Sequence, residues 1–588
     1  MQLKSGIAAL SAVVLTAAVA CTTASQHIAR ASQAQTRSAA APSAPAARWD
    51  ADYRPYVDRT SFTVAFRRLT ESQYRHTIAD SFGPDLKINA RFEPEQREGG
   101  LQAIGNARLS ITTSGLEQYF AVARSVSDQV MQGDLRDARV GCKPVGEGAS
   151  DTACATAFIK SRGRQLFRRP LSEAEIAERL AVWKEGAAKS GDFYKGLKLS
   201  LVSLLMAPDF LFRTERAEAD PSVAGGFRLD GYSRASRLSF VLWDAPPDAE
   251  LLAAASDGRL LTQAGVDTQV ARMTTSPRLA DGARAFFSDM LQFDAFDTLT
   301  KDFATYPKFS QAVADSAREE TLKFLVDFLV QRSQDYRNIF TTHDTIINRS
   351  LAAIYKVPYA TTDPWLSYTF PEDSERSGVL TQVSFLALFS HPGSSSPTVR
   401  GVKLYEIFLC QPTPQPPPDV DFSKVQATQN GTVRSRLLDH MTNPGCSSCH
   451  ARSDPAGLTL EHFDGLGQTR TLENGAPIDV SAKIGGASFA GARGLGAYLH
   501  DNPAAPSCLV QNVHTYGVGR PYDYKDANYI KAQTQTFAAK GYRLVELYRS
   551  VLTNPEFFKV VKPEGVTPKT SVASIGAAGS IISTGGGQ

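Results

Sequence analysis

Asn443-Pro444-Gly445-Cys446-Ser447-Ser448-Cys449-His450 sets two thiols three residues apart and places an imidazole directly after the second. Two intervening residues let both sulfurs reach one edge of a porphyrin, where each adds to a vinyl group. The adjacent histidine then falls beneath the ring as an iron ligand. The segment therefore reads as an attachment site for one haem c, with Cys446 and Cys449 as the covalent anchors and His450 as the proximal iron ligand. Three other readings fit the same residues. A redox disulfide between Cys446 and Cys449 would want a thioredoxin-like strand and helix around it, which the flanking sequence lacks. A zinc site built on Cys446, Cys449 and His450 would want a second pair at metal spacing, and none follows. A haem motif that has lost its haem and persists as a loop is the third.

The far face of the iron is where the pattern departs from a small soluble cytochrome. The usual partner is a methionine well downstream, but the last methionine, Met441, precedes the motif. His440 and His462 are near enough in sequence to stay on the proximal side. The distal candidates are therefore His391 from upstream and His500 and His514 from downstream, with an open or water-bound position as the alternative. The difference is functional: a six-coordinate haem passes electrons, whereas an open position binds peroxide or another small ligand.

Moving to the ends, Lys4 followed by an apolar run from Ile7 to Ala20 and then Cys21 reads as an export signal over residues 1–21, with Cys21 as the lipidation site. The alternative is ordinary secretion, with Cys21 incidental. Both put the mature chain outside the cytoplasm, as a periplasm-facing outer-membrane lipoprotein or a secreted periplasmic protein. Membrane attachment is then by lipid anchor alone, since no later stretch is apolar for the ~18 residues a span needs. Of the seven cysteines, four remain after Cys21, Cys446 and Cys449 are assigned. An oxidising compartment pairs them, Cys142 with Cys154 across a short polar loop and Cys410 with Cys508 by elimination.

The 588 residues carry 63 Lys plus Arg against 60 Asp plus Glu, and no basic stripe interleaved with aromatics, so no nucleic-acid partner is expected. No nucleophile elbow, zinc-protease helix or phosphate loop is present. The glycines from Gly485 to Gly496 lack dinucleotide-binding spacing, and Asp523 and Asp526 lack the rest of a calcium loop.

The periodicity predicts a mainly α protein. Thr70-Glu71-Ser72-Gln73 and Ser172-Glu173-Ala174-Glu175 fit capping boxes that open helices. Helices are expected over Gly196–Met206, Arg234–Trp243, Leu261–Leu291, Ala317–Gln331 and Asn348–Tyr355, with short strands near Trp365–Phe370 and Pro477–Ile484. Leu204 to Phe210 and Val551 to Phe557 look alike as helix-to-proline junctions. The expected organisation is a signal over 1–21 and a tether over 22–60, rich in Ala, Ser, Gln and Pro. Helical domains follow over 61–145, 146–222 and 223–375. Then come a haem-motif domain over 376–480 with a proline strap at 411–419, a helical domain over 481–565, and a tail over 566–588.

These residues resemble the large exported planctomycete-type cytochrome-like proteins, which carry five adjoining domains of unknown function. The resemblance is carried by the motif with Asp454-Pro455-Ala456-Gly457 and Glu461 to Gly467. It extends to Ser395-Ser396-Pro397-Thr398-Val399-Arg400-Gly401 and to Arg68 to Tyr74, Phe167 to Leu171, Ser236 to Trp243, and Cys508-Leu509 with Tyr516 to Arg520. The resemblance implies several packed helical domains with a small c-type-cytochrome-like haem domain near the C-terminus, and no established reaction. Electron transfer in the cell envelope, to a redox partner the sequence does not identify, is the leading functional expectation. A peroxidase-like haem oxidoreductase, and an envelope binding or scaffold protein with structural or no haem, are the alternatives.

Overall fold

In the computed structural model the described residues are 62–90, 92–145, 151–224, 226–413, 431–440 and 444–560. The expected signal with Cys21, the tether, most of the proline strap and the tail lie outside them. The described chain is mainly helical, with four small antiparallel sheets. Both capping boxes form. The Thr70 and Ser172 hydroxyls accept from the amides of Gln73 and Glu175, whose side chains reach back to the capping residues, opening helices Glu71–Phe82 and Glu173–Ser190.

Two hydrophobic cores organise these elements. The first lies among helices Glu71–Phe82, Thr113–Val130, Thr152–Phe167, Glu173–Ser190 and Phe193–Leu205, and is filled by Tyr74, Phe158, Trp183, Leu201 and Phe210. The second is a single contiguous cluster that runs from Leu101 through Trp243, Phe286, Phe340, Phe408, Phe463 and Leu499 to Phe557. The segments separated at 375/376 and 480/481 in the sequence thus pack around one core. The Cys142–Cys154 and Cys410–Cys508 disulfides both form, the second tying helix Pro397–Leu409 to helix Ala504–Val518.

Where the structure differs from the periodicity, the cause is local. The expected helix Leu261–Leu291 is two, Gln263–Thr274 and Leu279–Met290, parted at Ser276-Pro277 because the pre-proline residue avoids helical dihedrals. The stretch Ala317–Gln331 is helical, but from Val326 to Gln331 it widens into a π-helical turn. The two proline junctions are the same device: Pro208 and Pro555 each open a short helical turn that buries Phe210 and Phe557 completely.

A three-stranded sheet is absent from the sequence reading. Its first strand, Phe62–Arg68, is paired antiparallel with Phe212–Ala219, which in turn pairs with Phe227–Leu229. Its partner lies about 150 positions away, so no local signal marks it. The sheet carries a buried ion cluster, in which Glu215 accepts from Arg67 at 2.5 Å and also pairs with Arg237. Arg67 further donates to the carbonyl of Gly517 at 3.1 Å, and Arg237 to that of Phe557. Burial alone would raise the Glu215 carboxyl, yet Arg237 and Arg67 override it and hold it at about 2. The first strand is thereby bound to the last helices of the chain.

The loops closed by the disulfides differ in size, with separations of 12 and 98 residues. Chain entropy then predicts that replacing Cys410 and Cys508 by serine destabilises the protein by about 2 kcal/mol more than replacing Cys142 and Cys154. Urea unfolding of the two double variants measures this difference.

Candidate functional site

The motif residues lie in helix Pro444–Leu458. Positions 446, 449 and 450 are spaced i, i+3 and i+4, so both thiols and the imidazole project from one helical face. Cys446 is buried, Cys449 half-buried, and both are free thiols while the other four described cysteines are paired. His450 is largely enclosed, and its Nδ1 lies 2.8 Å from Oδ2 of Asp454, one turn further along. Asp454 is buried, with Ser453 Oγ donating to its other oxygen at 3.2 Å. A carboxylate on Nδ1 fixes the ring orientation, and in such a pair Nε2 is the metal-binding nitrogen and gains basicity. The donor set fits a covalently attached haem.

The motif helix is seated by close backbone contact. A Cβ on Gly401, in helix Pro397–Leu409, would overlap the Ser453 carbonyl, and one on Gly457 would overlap the Pro397 carbonyl. Only hydrogen at these two positions lets the helices approach so closely. Below them, the fully buried Arg400 donates to the carbonyls of Leu386, Leu460, Phe463 and Asp464, at 3.2, 3.1, 2.9 and 2.6 Å. It also pairs with Glu461 at 3.3 Å, and Glu461 is held in addition by Ser395 at 2.7 Å and Arg470 at 2.6 Å. This network accounts for the Ser395–Gly401 and Glu461–Gly467 segments, which the sequence marks only through resemblance. Asp454 was not assigned a role from sequence; its signal is the i, i+4 spacing from His450, which on a helix brings the two side chains together.

The structure gives the distal candidates the following surroundings. His391 is exposed on the loop after helix Val383–Leu388. His500 has both ring nitrogens engaged, Nδ1 with Asp501 at 2.7 Å and Nε2 with Asn338 at 3.2 Å. His514 is 2% exposed on helix Ala504–Val518, and neither ring nitrogen has a hydrogen-bond partner among the described residues. Tyr529 lies against its ring at 4.8 Å and Phe557 at 6.4 Å. His462 is tied to Glu375 at 2.6 Å and to the Ile478 carbonyl at 3.4 Å, and the side chain of His440 lies outside the described residues.

Comparison with protein-family models adds five matches in series, each described as a protein of unknown function. They are DUF1587 over residues 67–132, DUF1595 over 154–215, DUF1592 over 229–357, DUF1588 over 376–473 and DUF1585 over 485–557. The chain is thus a multidomain protein assembled from five adjoining domains. It belongs to the planctomycete-type cytochrome-like family that this domain set defines. The model that spans the Cys446–His450 motif bears the short name PSCyt3, a cytochrome-like designation. No curated protein and no solved structure matches the chain. No helix among the described residues is long and apolar enough to cross a membrane.

His514 gives a pH prediction. Burial lowers its imidazole to about 4 from the ordinary 6.5, so the unfolded chain takes up a proton that the folded chain refuses. The stability that this neutral ring contributes is complete above pH 6.5 and is lost as pH falls from there to about 4, amounting to about 3 kcal/mol. His514→Phe should keep the melting temperature at pH 7.5 and flatten the fall between pH 6.5 and 4, as read by calorimetry across that range.

Proposed function

We propose that this protein is a c-type cytochrome of the cell envelope, holding one haem through Cys446 and Cys449 with His450 as proximal ligand and passing electrons to a redox partner. The observation that carries the reading is the conjunction of two free thiols and a carboxylate-oriented imidazole on one helical face. Haem bound here would supply one-electron chemistry at iron. The chain's own residues do the rest. Cys446 and Cys449 would hold the haem through their sulfurs. His450 offers Nε2, and Asp454 keeps the Nδ1 proton. Gly401, Gly457 and Arg400 hold the motif helix in place. Export by the signal over residues 1–21, with lipidation at Cys21, would bring the chain to the periplasmic face of the outer membrane.

A second reading is supported by the same pair. A carboxylate on the proximal imidazole strengthens donation to iron, which favours the oxidised metal and suits a haem oxidoreductase that uses an open distal position on peroxide. Rapid carbon monoxide binding by the reduced protein indicates the enzyme. Slow or absent binding indicates electron transfer, with His391, His500 or His514 opposite His450.

Two outcomes are expected from protein matured in a host competent for haem attachment. The haem absorption band should stay with the protein through acid-acetone extraction, and Cys446→Ala with Cys449→Ala should abolish it; a haem-free wild-type chain contradicts the proposal. Asp454→Asn should keep the haem attached and move the midpoint potential upward, because the amide withdraws the negative charge from the proximal imidazole; an unchanged potential means that Asp454 only packs.

A further inference from the structure

Far from the motif in sequence, a cleft of about 700 Å³ opens where the first three family domains meet. Asp80 and Ser81 enter it from the end of helix Glu71–Phe82, and Lys160 and Arg164 from helix Thr152–Phe167, which packs against the first. Positions 160 and 164 are spaced i, i+4, so the two basic side chains share one helical face. The third domain supplies an apolar wall, Pro246-Pro247 from the turn before helix Ala249–Ser256 and Leu252 from its first turns.

Both acids on the wall are already compensated. Asp80 pairs with Arg278 at 2.5 Å, and Asp248 with Arg272 at 2.7 and 3.0 Å. Of the bases, Lys160 reaches only the exposed Glu173, at 3.8 Å. Arg164 is half-buried, its Nε is enclosed without an acceptor, and its guanidinium has no hydrogen bond or ion pair among the described residues. A second open group stands on the neighbouring helix: Ser81 is 4% exposed, and its hydroxyl has no hydrogen-bond partner among the described residues either. Buried polar groups in folded proteins are almost always hydrogen-bonded, so two open groups lining one cleft call for a partner from outside the fold. A guanidinium can only donate and a hydroxyl is able to, which makes that partner an acceptor, and the uncompensated charge on Arg164 makes it an anion.

We propose that this cleft binds a small organic carboxylate with a compact apolar body, its carboxylate seated on Arg164 and Ser81. A carboxylate meets a guanidinium with two parallel hydrogen bonds and supplies the charge that Arg164 lacks. Lys160, Arg164 and Arg278 stand against Asp80 and Asp248, an excess of one positive charge that matches a monoanion better than a phosphate dianion. Pro246, Pro247 and Leu252 give the ligand's body an apolar surface that an inorganic anion would leave unused, and the volume lies within the range of small-molecule sites. The site shares no residue with the Cys446–His450 motif and gives the first three domains a common task.

Titration calorimetry of the full chain with benzoate, and with benzyl alcohol and inorganic phosphate as comparators, tests this. The expected result is saturable binding of benzoate, none of the alcohol, weaker binding of phosphate, and a loss of at least tenfold in benzoate affinity in Arg164→Met, which keeps an apolar stem and removes the charge. Ala157→Glu, an exposed change at the rim of the cleft, should weaken benzoate binding several-fold by repulsion and provides the reading if Arg164→Met does not fold. Absence of benzoate binding, alcohol or phosphate binding as tight as benzoate, or affinity unchanged in either folded variant overturns the proposal.

Discussion

The placement of the motif helix depends on the buried pair of Arg400 and Glu461. Arg400 has no exposed side-chain surface and Glu461 has 2%, so both charges are out of water; Glu461 is the anion that compensates Arg400, and Arg470 shares in compensating Glu461. The guanidinium gathers four backbone carbonyls from two directions, and Arg470 and Ser395 close the carboxylate from the other side. Removing Glu461 would leave the Arg400 charge buried without an anion, at a cost of about 3 to 5 kcal/mol. Replacing both by apolar residues would cost far less in stability but would release the carbonyls that fix the turn after the motif helix. The pair therefore matters chiefly as a positioning device.

The same logic recurs at the other end of the molecule, where Arg67, Glu215 and Arg237 bind the first strand to the last helices. Together with the Cys410–Cys508 bridge, these clusters explain why the chain forms two cores while its sequence divides into five domains. The motif helix sits on Pro397–Leu409, that helix is bridged to Ala504–Val518, and Tyr516 on the latter packs against Phe286 at 5.3 Å. The Cys446–His450 motif thus belongs to one continuously packed body made from several domains.

Local features were legible from sequence and distant ones were not. The capping boxes at Thr70 and Ser172, the proline junctions at Pro208 and Pro555, and the strand Ser481–Ile484 with its hairpin partner Ala487–Ala490 depend on neighbours a few positions away, and they stand as expected. The strand Leu366–Thr369 also forms, although its partner Asp344–Ile347 lies on the far side of a helix. The Phe62–Arg68 strand escaped because its pairing partner is remote, and the break at Pro277 was hidden by apolar periodicity running through it. At the site, Cys446, Cys449 and His450 announce themselves by spacing, and Asp454 could have been read from the same helical geometry. Arg400 and Glu461 could not, because each owes its meaning to burial, which no run of residues displays. For the distal histidines, chain distance admits His391, His500 and His514 alike, and only the fold shows their surroundings, Asp501 and Asn338 around His500 and the rings of Tyr529 and Phe557 beside His514.

The most direct test of the central claim is the intact mass of the mature protein under denaturing conditions, after expression with the haem-attachment machinery. The account predicts a species heavier than the polypeptide by one haem, with the added mass carried on the peptide containing Cys446 and Cys449. A chain at the bare polypeptide mass, with both thiols free to alkylating reagent, would contradict it.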